Sequence, residues 1–147
     1  MLDSGVLTIE LRDRRGATPL QFDVLATSGL PAPVAQSQLE LARHLAPTMG
    51  IKYYFLVTLD EIRGWDLTSG SVVFVEPTAK VLTAYATAGD VKKAGPSYLA
   101  ALVQAWVADL SSRWKSRTSP APGEMAMHTS GALDVIRTSE QATSGSL

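Results

Sequence analysis

The sequence predicts an α/β protein with a small mixed central sheet, flanking helices and an extended C-terminal tail. Three observations lead to this class. Apolar and polar residues alternate near the N-terminus, which is typical of half-buried strands. A helical spacing of apolar residues then lies between two strand-like runs, and this order indicates a crossover connection. After Arg117 the composition changes to Thr, Ser, Pro, Ala and Gly, with no aromatic residue.

Length, charge and cysteine content limit the classes of function. A chain of 147 residues is long enough for one compact domain. Its net charge of -1 gives no general attraction to nucleic acid or to anionic membranes. The absence of cysteine excludes disulfides, thiolate nucleophiles and cysteine metal sites. No apolar run predicts a signal peptide or a membrane span, so we expect a cytoplasmic protein without membrane insertion.

The first two strands are predicted to form a β-hairpin. Residues Leu7–Arg12 alternate between apolar and polar side chains, and residues Leu20–Thr27 do the same. Between them, Asp13–Gly16 has the composition of a turn, because Gly16 can adopt a positive φ. One face of the second strand carries Gln21, Asp23 and Leu25.

The next elements are a helix and two strands. Residues Val34–Met49 have helical spacing, and Gly50 is a suitable C-terminal cap. The run Ile51–Thr58 is β-branched and aromatic without alternation, which indicates a strand covered on both faces. Ile62–Asp66 is predicted to be a short strand that follows a turn.

The following elements end in the longest helix. Residues Val72–Val75 predict an edge strand, and Thr78 is a plausible N-cap for a short helix to about Ala86. Ser97 caps a long helix whose apolar residues, up to Trp114, recur at spacings of three and four. This pattern is typical of a helix packed on a core.

The C-terminal residues are predicted to form a separate arm. We expect a domain over residues 1–116 and an extended arm over 117–147, with a short helix over 130–142. Such a segment has too little apolar surface to order by itself. It is therefore held either by the domain or, in the hypothesis we prefer, by another protein. The candidate partner-binding residues of the arm are Met125, Met127, Leu133, Val135, Ile136 and Leu147.

Three arginines form the strongest basic cluster of the sequence. Arg12, Arg14 and Arg15 lie in or beside the predicted hairpin turn. They are typical of a solvated turn, or of a contact with an acidic partner through salt bridges. We include them among the candidate partner-binding residues.

Several segments together resemble the PD-(D/E)XK nuclease fold, and most closely the small proteins of that fold common in cyanobacteria. The similarity covers about residues 5–115 and implies a restriction-endonuclease-like core. The segments that carry it are the Asp13–Gly16 turn between two strands, the helix with Gln38 and Ala42, Tyr53–Thr58, Ile62–Asp66, Val81–Tyr85 and Tyr98–Leu110.

The resemblance implies a metal site that this chain has largely lost. In that fold, an Asp on the first hairpin strand and a Glu-x-Lys on the second bind a divalent metal and position water. Counted from the turn glycine, these positions fall on Thr8, Asp23 and Leu25. A hydroxyl and an aliphatic chain cannot replace carboxylate oxygens around Mg²⁺. The possible substitutes are Glu10 for the missing Asp, and Lys52 or Arg43 for the missing Lys.

Other sites are not indicated, and two functions remain. The histidines, His44 and His128, lie in different segments without zinc-site spacing, so we expect no metal and no cofactor. The preferred hypothesis is a non-catalytic linker or scaffold of a larger assembly, most specifically a phycobilisome or other photosynthetic complex. The alternative is a Mg²⁺-dependent DNA endonuclease or an inactive subunit of one. We expect protein partners, and neither nucleic acid nor a small-molecule substrate.

Overall fold

The structure is a computed structural model that describes residues 6–86, 90–112 and 122–145. The strands in these residues are β1 (Val6–Arg12), β2 (Leu20–Leu25), β3 (Tyr53–Val57), β4 (Glu61–Asp66), β5 (Val72–Pro77) and β6 (Glu140–Gly145). The α-helices are α1 (Ala32–Met49), α2 (Thr78–Leu82), α3 (Pro96–Ser112), α4 (Glu124–Ser130) and α5 (Ala132–Arg137). The strands form one sheet in the order β5-β4-β3-β2-β1-β6, so the predicted α/β class with a mixed sheet is confirmed.

The hairpin and the helix that follows it set the centre of the sheet. Strands β1 and β2 pair antiparallel, with Thr8 opposite Asp23. Helix α1 then returns the chain so that β3 runs parallel to β2. Strands β4 and β5 continue antiparallel, and β5 forms one edge of the sheet. Helix α2 ends at Leu82, earlier than predicted, and a 3₁₀ turn follows it.

Both ends of α1 are explained by local backbone chemistry. The helix begins at Ala32, two residues earlier than predicted, after Pro31 in an extended conformation. It ends at Gly50, whose φ of 76° is the left-handed conformation that glycine adopts without strain. In the parts of the chain that the structure describes, no helix is both long and apolar enough to cross a membrane.

A large aromatic core fills one face of the sheet. The Phe22 and Phe55 rings stack with centroids 4.9 Å apart, and the Trp106 ring of α3 packs 5.6 Å from Phe74. A side chain at Gly64 of β4 would collide with the Phe55 ring, which explains a glycine inside a strand. The opposite face carries a smaller core under α1, made of Leu25, Leu39, Ala42, Tyr54, Leu56 and Trp65.

The C-terminal residues differ from the predicted extended arm. Helices α4 and α5 pack on the large core, where Met127, Leu133 and Ile136 are at most 2% exposed. Where a single helix over 130–142 was predicted, helix α5 covers only Ala132–Arg137 and strand β6 begins at Glu140. A further helix, α4, precedes α5, and the two meet at Gly131, whose φ is 87°. The physical reason is that Met127, Leu133 and Ile136 face the domain, so together they bury enough apolar surface to order the segment.

The sheet also holds the C-terminal segment in place. Strand β6 pairs antiparallel with β1 along its whole length, from Leu7 opposite Gly145 to Arg12 opposite Glu140. The Tyr53 hydroxyl donates to the Ser130 carbonyl oxygen at 2.7 Å. Residues 122–145 are therefore part of the same sheet and core. The predicted boundary between residues 116 and 117 lies outside the described residues.

Candidate functional site

Asp23 lies in the middle of β2 on the face covered by α1, and it is only 6% exposed. Three side chains donate hydrogen bonds to its carboxylate. Thr8 Oγ1 and Gln21 Nε2 donate to Oδ1 at 2.8 and 3.2 Å. The Tyr54 hydroxyl donates to Oδ2 at 2.7 Å. Both oxygens are therefore occupied, which matches the interpretation of Asp23 as a carboxylate bound to a neighbouring strand.

Tyr54 is the most deeply buried of the three donors. Its side chain is fully buried on β3, and its ring stacks on Trp65 with centroids 6.0 Å apart. Burial, and then the negative charge of Asp23, raise the pKa of the Tyr54 hydroxyl above its ordinary value. The hydroxyl therefore stays protonated even where an exposed tyrosine would ionise, and it remains a donor to the carboxylate.

The positions that the nuclease resemblance assigns to metal binding meet in space. Thr8 and Asp23 face each other across the hairpin. Leu25, on the same face of β2, is 8% exposed and packs in the apolar core under α1. Among the residues that the structure describes, no cluster of three or more His, Asp or Glu side chains could hold a metal ion.

The possible substitutes for the missing ligands have contacts of their own. The Glu10 carboxylate forms an ion pair with Arg12, whose Nη2 lies 2.8 Å from Glu10 Oε1. Arg43 pairs with Glu40 at 3.2 Å on the surface of α1. The remaining candidate, Lys52, places its Nζ 5.4 Å from the centre of the Tyr53 ring. None of these three contacts involves Asp23.

A groove of about 490 Å³ lies between the start of α1 and β4. Its floor includes Leu56 and Trp65, and its polar groups bind one another or the backbone. Arg63 pairs with Glu61 at 2.9 Å, and Asp60 accepts the Gly29 N–H at 2.6 Å. The groove thus has an apolar floor, while the charged groups that line it already have partners within the protein.

The hairpin turn is the most basic part of the described surface. Arg12, Arg14 and Arg15 are all exposed there, as a contact site requires. Asp13 holds the turn, because its Oδ1 accepts the N–H groups of Arg15 at 2.8 Å and Ala17 at 3.1 Å. The structure adds Arg137, at the end of α5, to the same surface.

The predicted partner-binding residues of the arm have different positions. Met127, Leu133 and Ile136 lie in the protein's own core, which corrects the prediction that they bind another chain. The apolar surface of these three side chains is already covered by the domain, so it is not exposed to a partner. The others are exposed Met125, at 77%, half-buried Val135, and Leu147, which lies outside the described residues.

Two residues of these sites were not found by sequence reasoning. Tyr54 carries a hydroxyl in a strand predicted to be buried on both faces, and this was a usable signal because such hydroxyls need a partner. Arg137 gave no signal, since only the pairing of β6 with β1 brings it to the turn. Comparisons with protein-family models, with curated proteins and with solved structures give no match to this chain.

Proposed function

We propose that this protein is a non-catalytic linker or scaffold subunit of a larger protein assembly. The observation that carries the proposal is the network around Asp23, in which Thr8, Gln21 and Tyr54 occupy both carboxylate oxygens. A Mg²⁺ site would need those oxygens free and further carboxylates beside them. The network therefore favours a structural role for this sheet over a catalytic one.

The most specific form of the proposal is a linker of a phycobilisome or another photosynthetic complex. It rests on the resemblance to small proteins common in cyanobacteria. Docking would use the domain surface, since Met127, Leu133 and Ile136 are engaged in the core. Of the residues predicted to bind a partner, those exposed in the described part of the chain are the arginines of the turn and Met125 on one side of α4.

Sedimentation of a native extract tests the assembly role. The protein, followed with an antibody, is expected to sediment with a complex much larger than the free monomer and to stay there after a wash. Cross-linking mass spectrometry of that fraction should give cross-links to the same neighbouring subunit in repeated preparations. Migration as a free monomer in fresh extract would overturn the proposal.

The alternative function is a Mg²⁺-dependent endonuclease of the PD-(D/E)XK type, or an inactive subunit of one. It is favoured by the hairpin register, which sets Thr8 opposite Asp23 where the resemblance implies two metal ligands.

Plasmid cleavage discriminates the two functions. We expect supercoiled DNA to stay intact with the wild-type protein in Mg²⁺ or Mn²⁺, and the Asp23→Asn variant to behave identically. Asn is the matched replacement because it keeps the side-chain size and a hydrogen-bond acceptor. Metal-dependent cleavage by the wild type that Asp23→Asn abolishes would support the nuclease and contradict the linker.

A further inference from the structure

The β1–β2 turn and the junction between α5 and β6 enclose a cleft of about 530 Å³, called here the turn cleft. It includes Arg14 from the turn and Arg137 and Ser139 from the junction. Strand pairing explains their proximity, because Arg12 at the end of β1 lies opposite Glu140 at the start of β6. An adjoining depression adds Arg15 to the same surface.

The arginines of the turn cleft are available for a charged ligand. Within the described ranges, Arg14, Arg15 and Arg137 make no ion pair with a carboxylate, whereas Arg12 is paired with Glu10. Arg137 donates to the protein only through its Nε, to the Leu110 carbonyl oxygen at 3.4 Å. Its terminal nitrogens have no hydrogen-bond partner among the described residues. Arg14, Arg15 and Arg137 therefore line one depression, and most of their guanidinium donors have no partner among the described residues.

Ser139 supplies a second and independent observation. In the described part of the chain, its hydroxyl oxygen is the one buried side-chain polar atom without a hydrogen-bond partner. A buried hydroxyl without a partner is unfavourable, and native proteins seldom keep one without a reason. Rotation of this side chain toward the cleft would break no existing hydrogen bond. The hydroxyl can therefore join the arginines in binding a ligand.

We propose that the turn cleft binds an acidic segment of a protein partner through side-chain carboxylates. Arginine pairs with a carboxylate by two parallel hydrogen bonds, and the Ser139 hydroxyl can donate one more. Asp13 and Glu140 also line the cleft. These two carboxylates disfavour a continuous phosphate backbone, and the net charge of -1 gives nucleic acid no wider attraction. Separate carboxylates on a peptide can avoid them.

The proposal rests on the proposed linker function and names the chemistry of its partner. Fluorescence anisotropy tests it with the full chain and a fluorescein-labelled peptide of alternating Glu and Ala. Saturable binding at up to about 1 mM peptide is expected, and it should weaken as salt rises. The Arg14→Glu/Arg137→Glu variant should weaken binding at least about tenfold, because it removes two charge-assisted contacts.

A matched control separates the cleft from overall charge. The Arg43→Glu/Lys92→Glu variant changes the net charge equally at two exposed residues outside the cleft, and it should bind the peptide within about twofold of wild type. Ser139→Ala should weaken binding about twofold to tenfold without lowering the unfolding temperature, since that hydroxyl has no partner to lose. If the charge reversal prevents folding by circular dichroism, Arg14→Gln/Arg137→Gln replaces it, with the same expected direction.

Three results would overturn the proposal: no saturable binding, equal weakening by the control variant, or tighter binding of single-stranded oligothymidine through the same arginines. The last would assign the cleft to nucleic acid. These failures are distinguishable from failure of the linker function. If the peptide does not bind, but the protein still sediments with its complex and leaves plasmid intact, only the proposal for the turn cleft is wrong. Plasmid cleavage would remove the linker function whatever the peptide does.

Discussion

The Tyr54 hydroxyl and the Asp23 carboxylate form a buried contact between a neutral donor and a charged acceptor. Hydrogen bonds to charged groups stabilise folded proteins more than neutral ones. The larger effect is asymmetric, because removing the donor leaves a buried carboxylate oxygen without its partner. Loss of this one hydroxyl should therefore destabilise the α1 face of the sheet.

Tyr54→Phe is expected to lower the free energy of unfolding by about 1–3 kcal/mol at neutral pH. The substitution keeps the ring that stacks on Trp65 and removes only the donor to Asp23. Urea denaturation of the purified proteins, followed by circular dichroism, measures the difference. A free energy equal to that of the wild type would mean that the contact contributes nothing to stability.

The same pair of proteins should show a pH dependence with a defined sign. The pKa of Tyr54 is raised in the folded state, first by burial and then by Asp23. Above the ordinary tyrosine pKa of about 10, the unfolded chain loses this proton while the folded chain keeps it, so stability falls as pH rises. The advantage of wild type over Tyr54→Phe should therefore shrink above that pH. Tyr53→Phe is the matched control, because that hydroxyl donates to a backbone carbonyl and not to a carboxylate.

Sequence reasoning could predict part of this site. The count outward from the turn located Thr8 and Asp23 as the positions of interest on neighbouring strands, and the hairpin register then sets them opposite each other. Tyr54 could not be assigned to Asp23 in the same way. Its contact depends on β3 lying parallel beside β2, and no local pattern fixes the register of strands that are joined by a helix.

At the level of elements, the short helix α4 has one face buried in the core and one face exposed to solvent. Met127 is fully buried in the large core, while Met125, two residues earlier, is 77% exposed. Residues two apart lie on different faces of a helix. One face of α4 thus serves the fold and the other remains at the surface.

Met127→Ala is expected to lower the free energy of unfolding by about 2–5 kcal/mol, because it leaves a cavity in the core. Met125→Ala is the matched control, and its effect should stay within about 0.5 kcal/mol. Thermal and urea unfolding of both variants give the two values. Equal and small effects would mean that α4 does not pack on the domain in solution. Weaker assembly of Met125→Ala in native extract would identify its side chain as a contact.

The elements that the sequence predicted are those with local signals. The hairpin has alternation and a turn, and α1 has helical spacing and a glycine cap. The helices and strand after residue 122 were predicted as an arm because composition was averaged over a polar segment. Their order depends on distant partners: the large core for α4 and α5, and the edge of β1 for β6. Such tertiary contacts override local composition.

At the scale of the whole molecule, β6 pairs with β1 and so covers the backbone groups at that side of the sheet. Without it, β1 would be an edge strand with unpaired backbone groups, which invites pairing with other chains. Helices α4 and α5 similarly cover apolar surface of the large core, with Gly123 packed close against the Phe74 ring. The C-terminal residues thus complete one cooperative unit together with the N-terminal hairpin.

Deletion of residues 122–147 is therefore expected to unfold or aggregate the protein. The deletion removes the buried residues Met127, Leu133 and Ile136, each worth about 1.5–3 kcal/mol of burial, and it opens the β1 edge. Together these losses approach the whole stability of a domain of this size, about 5–15 kcal/mol. Thermal unfolding by circular dichroism, with size-exclusion chromatography for aggregates, measures the outcome. Met125→Ala in the full chain is the control and should leave the unfolding temperature nearly unchanged, since that side chain of the same segment is 77% exposed. A shortened chain that stays monomeric with wild-type stability would instead make residues 122–145 a docked arm, free to exchange the domain for a partner.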